Sequence, residues 1–222
     1  MGDNTTVTIY PISNYSFGSK PPKQEKDNSV GARLERLKQQ YATKGIRHSV
    51  DALPIVYEHG HPHVLIFQIG MSYFKLPGGR LRPGESDHDG LLRKLDTNLA
   101  PDDAKLKPDW RIGPCVATYW RPGFDNMMYP YKPAHIERPK EVRKLYVIQM
   151  PEKSYLSVPS NYKLIAVPLF ELHDHVQRYG PVIAQVPTML SRLDFVMAEG
   201  IKDDEDMDAE GVKVEEKGMV LS

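Results

Sequence analysis

The amino-acid sequence predicts an α/β fold organised around one glycine-rich loop and the amphipathic helix that follows it. Its 222 residues are 40% hydrophobic, which is enough to bury one substantial core. Stretches rich in β-forming residues lie on both sides of the segment 73–100, whose second half has helical periodicity. We therefore expect one α/β domain.

The central segment divides into strand, turn and helix. Phe74 to Leu76 ends a β-rich region, and Pro77-Gly78-Gly79 predicts a tight reversal, because glycine takes positive φ freely and proline presets its own φ. A second Pro-Gly break precedes the helix, in which Ser86 and Asp89 resemble a capping box before Pro101 ends the run. Leucines share one helical face: Leu91, Leu92, Leu95 and Leu99.

The N-terminal part predicts an extended arm and a helix. β-Forming residues alternate from Thr6 to Tyr15, which is typical of an arm or edge strand packed onto the body. A helix is expected from Asn28 to Ala42, capped by Asp27 or Asn28. Its apolar stripe should pack on the core through Val30, Leu34, Leu37 and Tyr41.

The remaining elements follow from alternation and from turn residues. Strands are expected at Arg47 to Tyr57, His63 to Ile69, Trp110 to Trp120, Leu145 to Met150 and Leu164 to Leu172. A turn over residues 58–62 joins the first two, and the aromatic residues of segment 121–144 favour an ordered loop. A last helix is expected from Pro181 to Met197, because proline suits a first helical turn, with Pro187 as a kink.

Charge and composition divide the chain into an arm with a linker over residues 1–24, a domain over 25–198 and an acidic, disordered tail over 199–222. The tail has nine acidic residues and three lysines. Subtracting these from the 29 acidic and 29 basic residues leaves 20 against 26, a net charge of +6 that suits a polyanionic partner. We expect neither a membrane span nor a signal peptide.

The single Cys115 excludes an internal disulfide and fits a reducing compartment. Because it lies in the apolar stretch GPCVATYW, we expect it in the core and not as a nucleophile. His59, His61 and His63 alternate around a turn, as do His173 and His175 in a later loop, and we interpret both groups as turn residues and not as metal ligands.

The segment 73–100 resembles the Nudix box, in which a glycine is followed at fixed spacing by a glutamate, an Arg-Glu pair and a Glu-Glu pair. Positions in register are Gly79, Glu85, Arg93 and Leu95. Lys94 stands in place of the first paired glutamate, Thr97 and Asn98 replace the Glu-Glu pair, and Ala100 replaces the closing glycine. Because Mg²⁺ requires hard anionic oxygens, the frame of the box remains without its metal site.

A wider resemblance covers Val7 to Phe195 and is to the small, 25-kilodalton subunit of pre-mRNA cleavage factor Im. The stretches that carry it are NYSFG at Asn14, EKD at Glu25, FKLPGG at Phe74, YWRP at Tyr119, YPYKPAHI at Tyr129, RPKE at Arg138, PSNYKLIAVPLFEL at Pro159 and YGPVI at Tyr179. The resemblance implies a Nudix-like α/β/α sandwich with a mixed central sheet, an extra N-terminal arm and helix, and a C-terminal helix.

The same resemblance implies a nuclear, non-catalytic protein that needs no cofactor and no metal. It implies a homodimer that recognises UGUA elements in single-stranded pre-mRNA for 3′-end cleavage, polyadenylation and poly(A)-site choice. The implied partners are a larger subunit with an RNA-recognition motif and poly(A) polymerase, with no membrane.

Residues matching the family's RNA contacts are Glu25, Arg33, Asp51, Ser72, Tyr73, Phe74, Leu76, Tyr179 and Gly180. Tyr73 stands where the family has a stacking phenylalanine, and a tyrosine ring preserves base stacking. Asp51 replaces a base-reading glutamate; the shorter carboxylate still accepts a hydrogen bond but needs a water to reach as far.

Two other function classes remain open. An atypical Nudix hydrolase of dinucleoside polyphosphates could hold Mg²⁺ with Glu85, Asp87, Asp89 and Asp96, although Asp87 and Asp89 cannot share one helical face. A scaffold for the larger subunit could lack RNA reading, but it has no reason to assemble Glu25, Arg33 and Tyr73 together.

Overall fold

The computed structural model describes residues 6–24, 26–125 and 127–199. Its strands are β1 (Thr6–Ile9), β2 (Tyr15–Lys20), β3 (Arg47–Glu58), β4 (His61–Ile69), β5 (Tyr73–Lys75), β6 (Gly78–Arg80), β7 (Arg111–Arg121), β8 (Glu141–Gln149), β9 (Ser154–Pro159), β10 (Tyr162–Pro168) and β11 (Asp194–Met197). Its α-helices are α1 (Val30–Lys44), α2 (Asp87–Leu99), α3 (Leu169–Leu172), α4 (Val176–Ile183) and α5 (Val186–Leu190). Glu25 and the predicted disordered tail beyond Glu199 lie outside the described residues.

A seven-stranded sheet forms the centre, in the order β10-β4-β3-β8-β7, with β5 paired to β4 and β6 paired to β3. Strand β3 runs antiparallel to β4 and parallel to β8, so the sheet is mixed, as expected. Successive side chains of β3 enter opposite cores: Leu53 packs on the side of α4 and α5, and Ala52 on the side of α2. This arrangement confirms the predicted α/β/α sandwich.

The box helix α2 begins and ends where its sequence predicts. Ser86 is the N-cap and accepts a hydrogen bond from the backbone N–H of Asp89 at 3.1 Å. Leu91, Leu95 and Leu99 are fully buried against the sheet. The helix therefore anchors the glycine-rich loop that precedes it.

The hairpin between β3 and β4 is tighter than the predicted five-residue turn. Only His59 and Gly60 form the turn, with φ of 48° and 76°. Two consecutive residues with positive φ are the geometry that matches the twist of a two-residue hairpin.

Helix α1 exists, but its predicted cap and packing were wrong. Ser29 is the N-cap, accepting from the N–H of Ala32 at 3.1 Å, while Asp27 pairs with Arg36 at 2.6 Å. No residue of α1 is buried, and Val30 is 85% exposed. The apolar stripe borders an open cavity and not the core.

The predicted C-terminal helix from Pro181 to Met197 is also wrong. Gly180 takes φ 81° and breaks α4, and the chain re-enters helical geometry at Pro181. Pro187 lies in the first turn of α5, and the last residues form β11, which pairs in parallel with β1. A proline fits a helix start but not an interior, so two short helices replace one long one.

Three further differences concern strands β9, β10 and β7. Strand β9, missing from the sequence prediction, pairs in parallel with β2, and β10 ends at Pro168, where α3 begins. Cys115 is exposed and not in the core, because the register of β7 shifts on both sides of it and turns the thiol outward.

Within the described residues, no helix is long and apolar enough to cross a membrane.

Candidate functional site

A cavity of about 510 Å³ opens between α1, β5 and the break in α4. Predicted contact residues that line it are Arg33, Asp51, Tyr73, Phe74, Leu76, Tyr179 and Gly180. Ser72 lies in the exposed turn before β5 and does not line the cavity. The fold thus gathers, from four separate elements, most of the residues singled out by the sequence.

One wall of the cavity is aromatic. The rings of Phe74 and Tyr179 pack at 4.8 Å between centroids, and the Arg178 guanidinium lies 5.1 Å from the Tyr179 ring. Tyr179 is held by donating its hydroxyl to Glu171, which also pairs with Arg178 at 3.0 Å. Tyr73, which precedes Phe74 in the chain and also lines the cavity, remains 53% exposed.

Gly180 determines how that wall meets the cavity. Its φ of 81° and ψ of 166° are not helical, so the chain turns sharply between Tyr179 and Pro181. An L-residue is strained at this φ, which explains the glycine.

The cavity floor is a buried network of charges on neighbouring strands. Asp51 on β3 lies 3.5 Å from Arg143 on β8, and Arg143 lies 3.5 Å from Glu141. Glu141 also pairs with Arg47 and Arg121, each at 3.4 Å. Two carboxylates are thus shared among three arginines.

The network perturbs the ionisation of its members in opposing directions. Burial raises the pKa of Asp51, although Arg143 and Lys75 oppose the shift. Burial acts the same way on Glu141, but Arg143, Arg47 and Arg121 outweigh it and lower the pKa of Glu141. For Arg143, burial favours a lower pKa, and the two carboxylates reverse this to a raised pKa.

The floor carries hydrogen-bonding capacity that the described residues do not use. Arg121 Nε and Arg143 Nε are buried and have no partner in the described part of the chain. Both arginines line the cavity. Because a buried donor without an acceptor is costly, a bound ligand or water with acceptor atoms would stabilise the floor.

Apart from Asp51, the charged residues of the floor were not among those predicted from the sequence. Arg47, Lys75, Arg121 and Arg143 line the cavity, and Glu141 ties the arginines together, yet they are scattered over three strands and a short edge strand. The usable signal is the run of charges in EVRKLYVIQ, where a buried strand carries polar residues that need partners.

The glycine-rich loop reaches the floor as a strand and not as the predicted tight reversal. Gly78 and Gly79 belong to β6, with φ of 151° and 149°, and pair with Asp51 and Val50. A Cβ on Gly78 would lie 2.3 Å from the carbonyl oxygen of Val50. Only glycine permits this approach of β6 to β3, which we call the glycine seam.

Glu85, the one box glutamate in register, forms hydrogen bonds that stabilise the loop. Its carboxylate forms a two-bond pair with Arg93, both at 2.6 Å, and accepts the N–H of Arg82 at 2.7 Å. The hydrogen bonds from Arg93 outweigh burial and lower the pKa of Glu85 to about 2.

The other carboxylates of the hydrolase alternative are held apart. Asp87 accepts from Lys144 at 2.5 Å and from Tyr146 at 2.8 Å. Asp96 accepts from the Trp110 indole at 3.0 Å on a different side of α2. Among the described residues, no group of three or more His, Cys, Asp or Glu side chains could hold a metal ion.

The comparisons with known proteins agree on one family. The family model NUDIX_2, described as nucleotide hydrolase, matches residues 5–193. The chain is 56% identical over 197 residues to pre-mRNA cleavage factor Im 25 kDa subunit 2 of Arabidopsis thaliana, covering 89% of this chain and 98% of that protein. Subunit 1 of the same organism is 44% identical over 209 residues, covering 90% and 94%.

A third relative is cleavage and polyadenylation specificity factor subunit 5 of Dictyostelium discoideum, 46% identical over 193 residues, which cover 86% of this chain and 96% of that protein. The chain belongs to the family of the 25 kDa subunit of pre-mRNA cleavage factor Im. Its Nudix-like domain is a member of the wider Nudix fold. In this chain the glycine seam holds β6 close to β3, and Glu85 braces the loop through Arg93.

The Glu85 pair should make part of the stability depend on pH. The unfolded chain binds a proton near pH 4.5, whereas the folded chain resists it until about pH 2, so this stability is complete above pH 4.5 and lost as pH falls toward 2. Glu85→Gln should flatten the fall in unfolding free energy across this window in urea titrations.

Glu35→Gln, on the exposed surface of α1, is the matched control because it removes the same charge without a described partner. It should keep the wild-type pH dependence. An unchanged slope in Glu85→Gln would contradict the assignment of Glu85 as a structural brace.

Proposed function

We propose that this protein acts in pre-mRNA 3′ processing as the small subunit of cleavage factor Im, by binding single-stranded UGUA elements in the cavity. Family membership supports the role in processing. The observation that carries the RNA proposal is the cavity itself, which combines an exposed stacking ring with buried charges that face the same space. Single-stranded RNA is recognised by this combination of stacking and edge contacts.

Tyr73 is the stacking platform in this proposal. More than half of its surface is exposed beside the fixed Phe74–Tyr179 wall, so a base can cover it without displacing core residues. Stacking on an aromatic side chain contributes roughly 1–3 kcal/mol per base and tolerates any base. Tyr73 therefore supplies affinity more than specificity.

Arg33 and Asp51 supply edge contacts, together with Glu25, which lies outside the described residues. Arg33 stands on α1 above the cavity, and Asp51 is held at the floor by Arg143 at 3.5 Å. A carboxylate fixed by an arginine accepts a base N–H in a defined direction. Since Asp51 is shorter than the family's glutamate, one of its base contacts runs through water.

The remaining members of the site shape the path of the RNA. Phe74, Leu76, Tyr179 and the backbone at Gly180 form the wall, and Ser72 contacts the strand outside the cavity. The complex comprises a homodimer, with which the aromatic segment 119–131 is compatible, a larger subunit with an RNA-recognition motif, and poly(A) polymerase. The protein works in the nucleus, with residues 25–198 as its domain between the arm and the acidic tail.

The RNA proposal is tested by titrating labelled UGUA RNA and a single-base variant. Tyr73→Ala should lower the affinity for both RNAs by similar factors, because stacking is insensitive to base identity. Arg33→Ala should reduce the binding free energy for UGUA by about 1–3 kcal/mol. It should also reduce the difference in affinity between UGUA and the single-base variant. Tyr155→Ala and Lys38→Ala, an exposed tyrosine and a lysine of α1 outside the cavity lining, are the controls.

With a body charge of only +6, the salt dependence should be shallow, since few phosphates are neutralised. A steep fall of affinity with salt, together with unchanged discrimination between UGUA and the single-base RNA in both Tyr73→Ala and Arg33→Ala, would indicate a non-specific polyanion binder. Absence of RNA binding with retained binding of the larger subunit would favour the scaffold alternative.

We further propose that the site does not hydrolyse nucleotides, because Lys94 and Asn98 stand where the box needs carboxylates and Glu85 is bound by Arg93. Incubation with diadenosine tetraphosphate and Mg²⁺ or Mn²⁺ should give no turnover above buffer. Metal-dependent release of mononucleotides that is lost in Glu85→Gln would establish the hydrolase alternative instead.

A further inference from the structure

Three lysines border the glycine seam on the side where a Nudix box would present its carboxylates. Lys94 stands at one of these carboxylate positions on α2, Lys75 is the last residue of β5, and Lys23 comes from the segment between β2 and α1. The proposed base-reading role uses none of them.

Lys23 is fixed in place and linked to the seam through an amide. Its backbone N–H donates to Asn161 Oδ1 at 2.9 Å, and its backbone carbonyl accepts from Asn161 Nδ2 at 2.9 Å. Its ammonium donates to Asn98 Oδ1 at 2.8 Å, and Asn98 Nδ2 donates to the Gly78 carbonyl at 3.3 Å. Asn98, at a position where the box has a glutamate, thus points a cation toward the seam.

Lys94 approaches Gly79, and Lys75 lines the same cavity as that glycine. The Lys94 side chain covers Gly79, with Cε 3.3 Å and Nζ 3.6 Å from the point where a Cβ would lie. Gly79 and Lys75 both line the cavity. The lysine cluster, defined as Lys23, Lys75 and Lys94, therefore adjoins the opening of the proposed RNA site.

The cluster lacks a direct ion-pair partner in the described part of the chain, although the Asp51 carboxylate attracts Lys75 and the Glu85 carboxylate attracts Lys94. None of the three ammonium groups forms an ion pair with a described carboxylate, and the nearby Glu85 is occupied by Arg93. Burial, then repulsion from Lys75 and Lys94, lowers the pKa of Lys23 to about 8. Burial likewise lowers the pKa of Lys94 and Lys75.

A solvated lysine surface would not give this arrangement. Exposed lysines spread apart and point into water, whereas Lys23 is clamped at its backbone and its head group is bonded to the buried Asn98. Holding like charges together at a partly buried surface is unfavourable unless an anion relieves the repulsion. The chemistry that fits several converging ammonium groups is a phosphate.

We propose that the lysine cluster is a phosphate-binding site, which converts the metal-dependent phosphate site of the Nudix box into one that binds phosphate directly through lysines. This inference rests on the proposed RNA function for its main ligand, a backbone phosphate of the nucleotides that flank the UGUA element. A small free ligand such as pyrophosphate offers the same chemistry.

The test compares two RNAs: a UGUA tetranucleotide without terminal phosphates, and a decamer with UGUA at its centre. Lys94→Gln and Lys23→Gln should each lower the affinity for the decamer by about three- to tenfold. Each should also reduce the slope of log affinity against log salt concentration by about one, the value for one lost phosphate contact. Both variants should leave tetranucleotide affinity within about twofold, because base contacts are intact. Lys38→Gln, an exposed lysine on α1, is the control for loss of one charge.

A second arm titrates pyrophosphate into the wild type and Lys94→Gln by calorimetry. Binding that is lost in the variant, with RNA affinities unchanged, would support the phosphate site and identify a small ligand as its source. If wild type discriminates UGUA, but both lysine variants bind the decamer as wild type does and Lys94→Gln leaves pyrophosphate binding unchanged, the phosphate site is wrong and base reading stands. If wild type does not discriminate UGUA yet pyrophosphate binding depends on Lys94, the site stands and the proposed RNA reading fails.

Discussion

The close approach of β6 to β3 at the glycine seam is the constraint on which the rest of the site depends. A Cβ at Gly78 would lie 2.3 Å from the Val50 carbonyl, so any other residue would push the strands apart. The Pro77 carbonyl, next to the seam, accepts the N–H of Ala52 at 2.7 Å, which fixes the loop against the sheet. Asp51 is thereby held beneath the cavity with Arg143, and the start of α2 is held beside it.

The seam fixes the backbone beside the box positions, while the side chains at those positions differ from those of the Nudix box. Binding and catalytic functions depend on side chains placed on a fold and not on the fold itself. Here Asn98, at a box glutamate position, donates to the Gly78 carbonyl and accepts from the Lys23 ammonium. Glu85, just before α2, accepts two hydrogen bonds from Arg93 within α2, which ties the loop to the helix.

Local patterns made part of this structure predictable. The cap at Ser86, the buried leucines of α2 and the central strands depend on short-range periodicity, and they lie close to where the sequence places them. The resemblance to a family, carried by stretches such as FKLPGG and YGPVI, singled out residues from distant parts of the sequence. Most of them line one cavity in the structure.

Features that depend on distant pairing were not predictable in this way. Arg143 and Glu141 matter because β8 lies parallel to β3, almost a hundred residues earlier in the chain. Strand β11 forms because β1 offers it an edge, so helical periodicity gave the wrong answer for Asp194–Met197. The apolar stripe of α1 lines a cavity and does not pack in the core. Helical periodicity shows that one face of a helix is apolar, but it does not show which of these two places that face covers.

In the proposed function, bases enter the cavity between α1, β5 and the break in α4. Photocrosslinking with UGUA RNA that carries 5-iodouridine, followed by mapping of the linked peptide, would show where the bases lie. We expect attachment to Tyr73 or Phe74, at the cavity wall. Attachment to exposed aromatic residues outside the cavity lining, such as Phe17 or Phe170, with no label on residues 73–74, would contradict it.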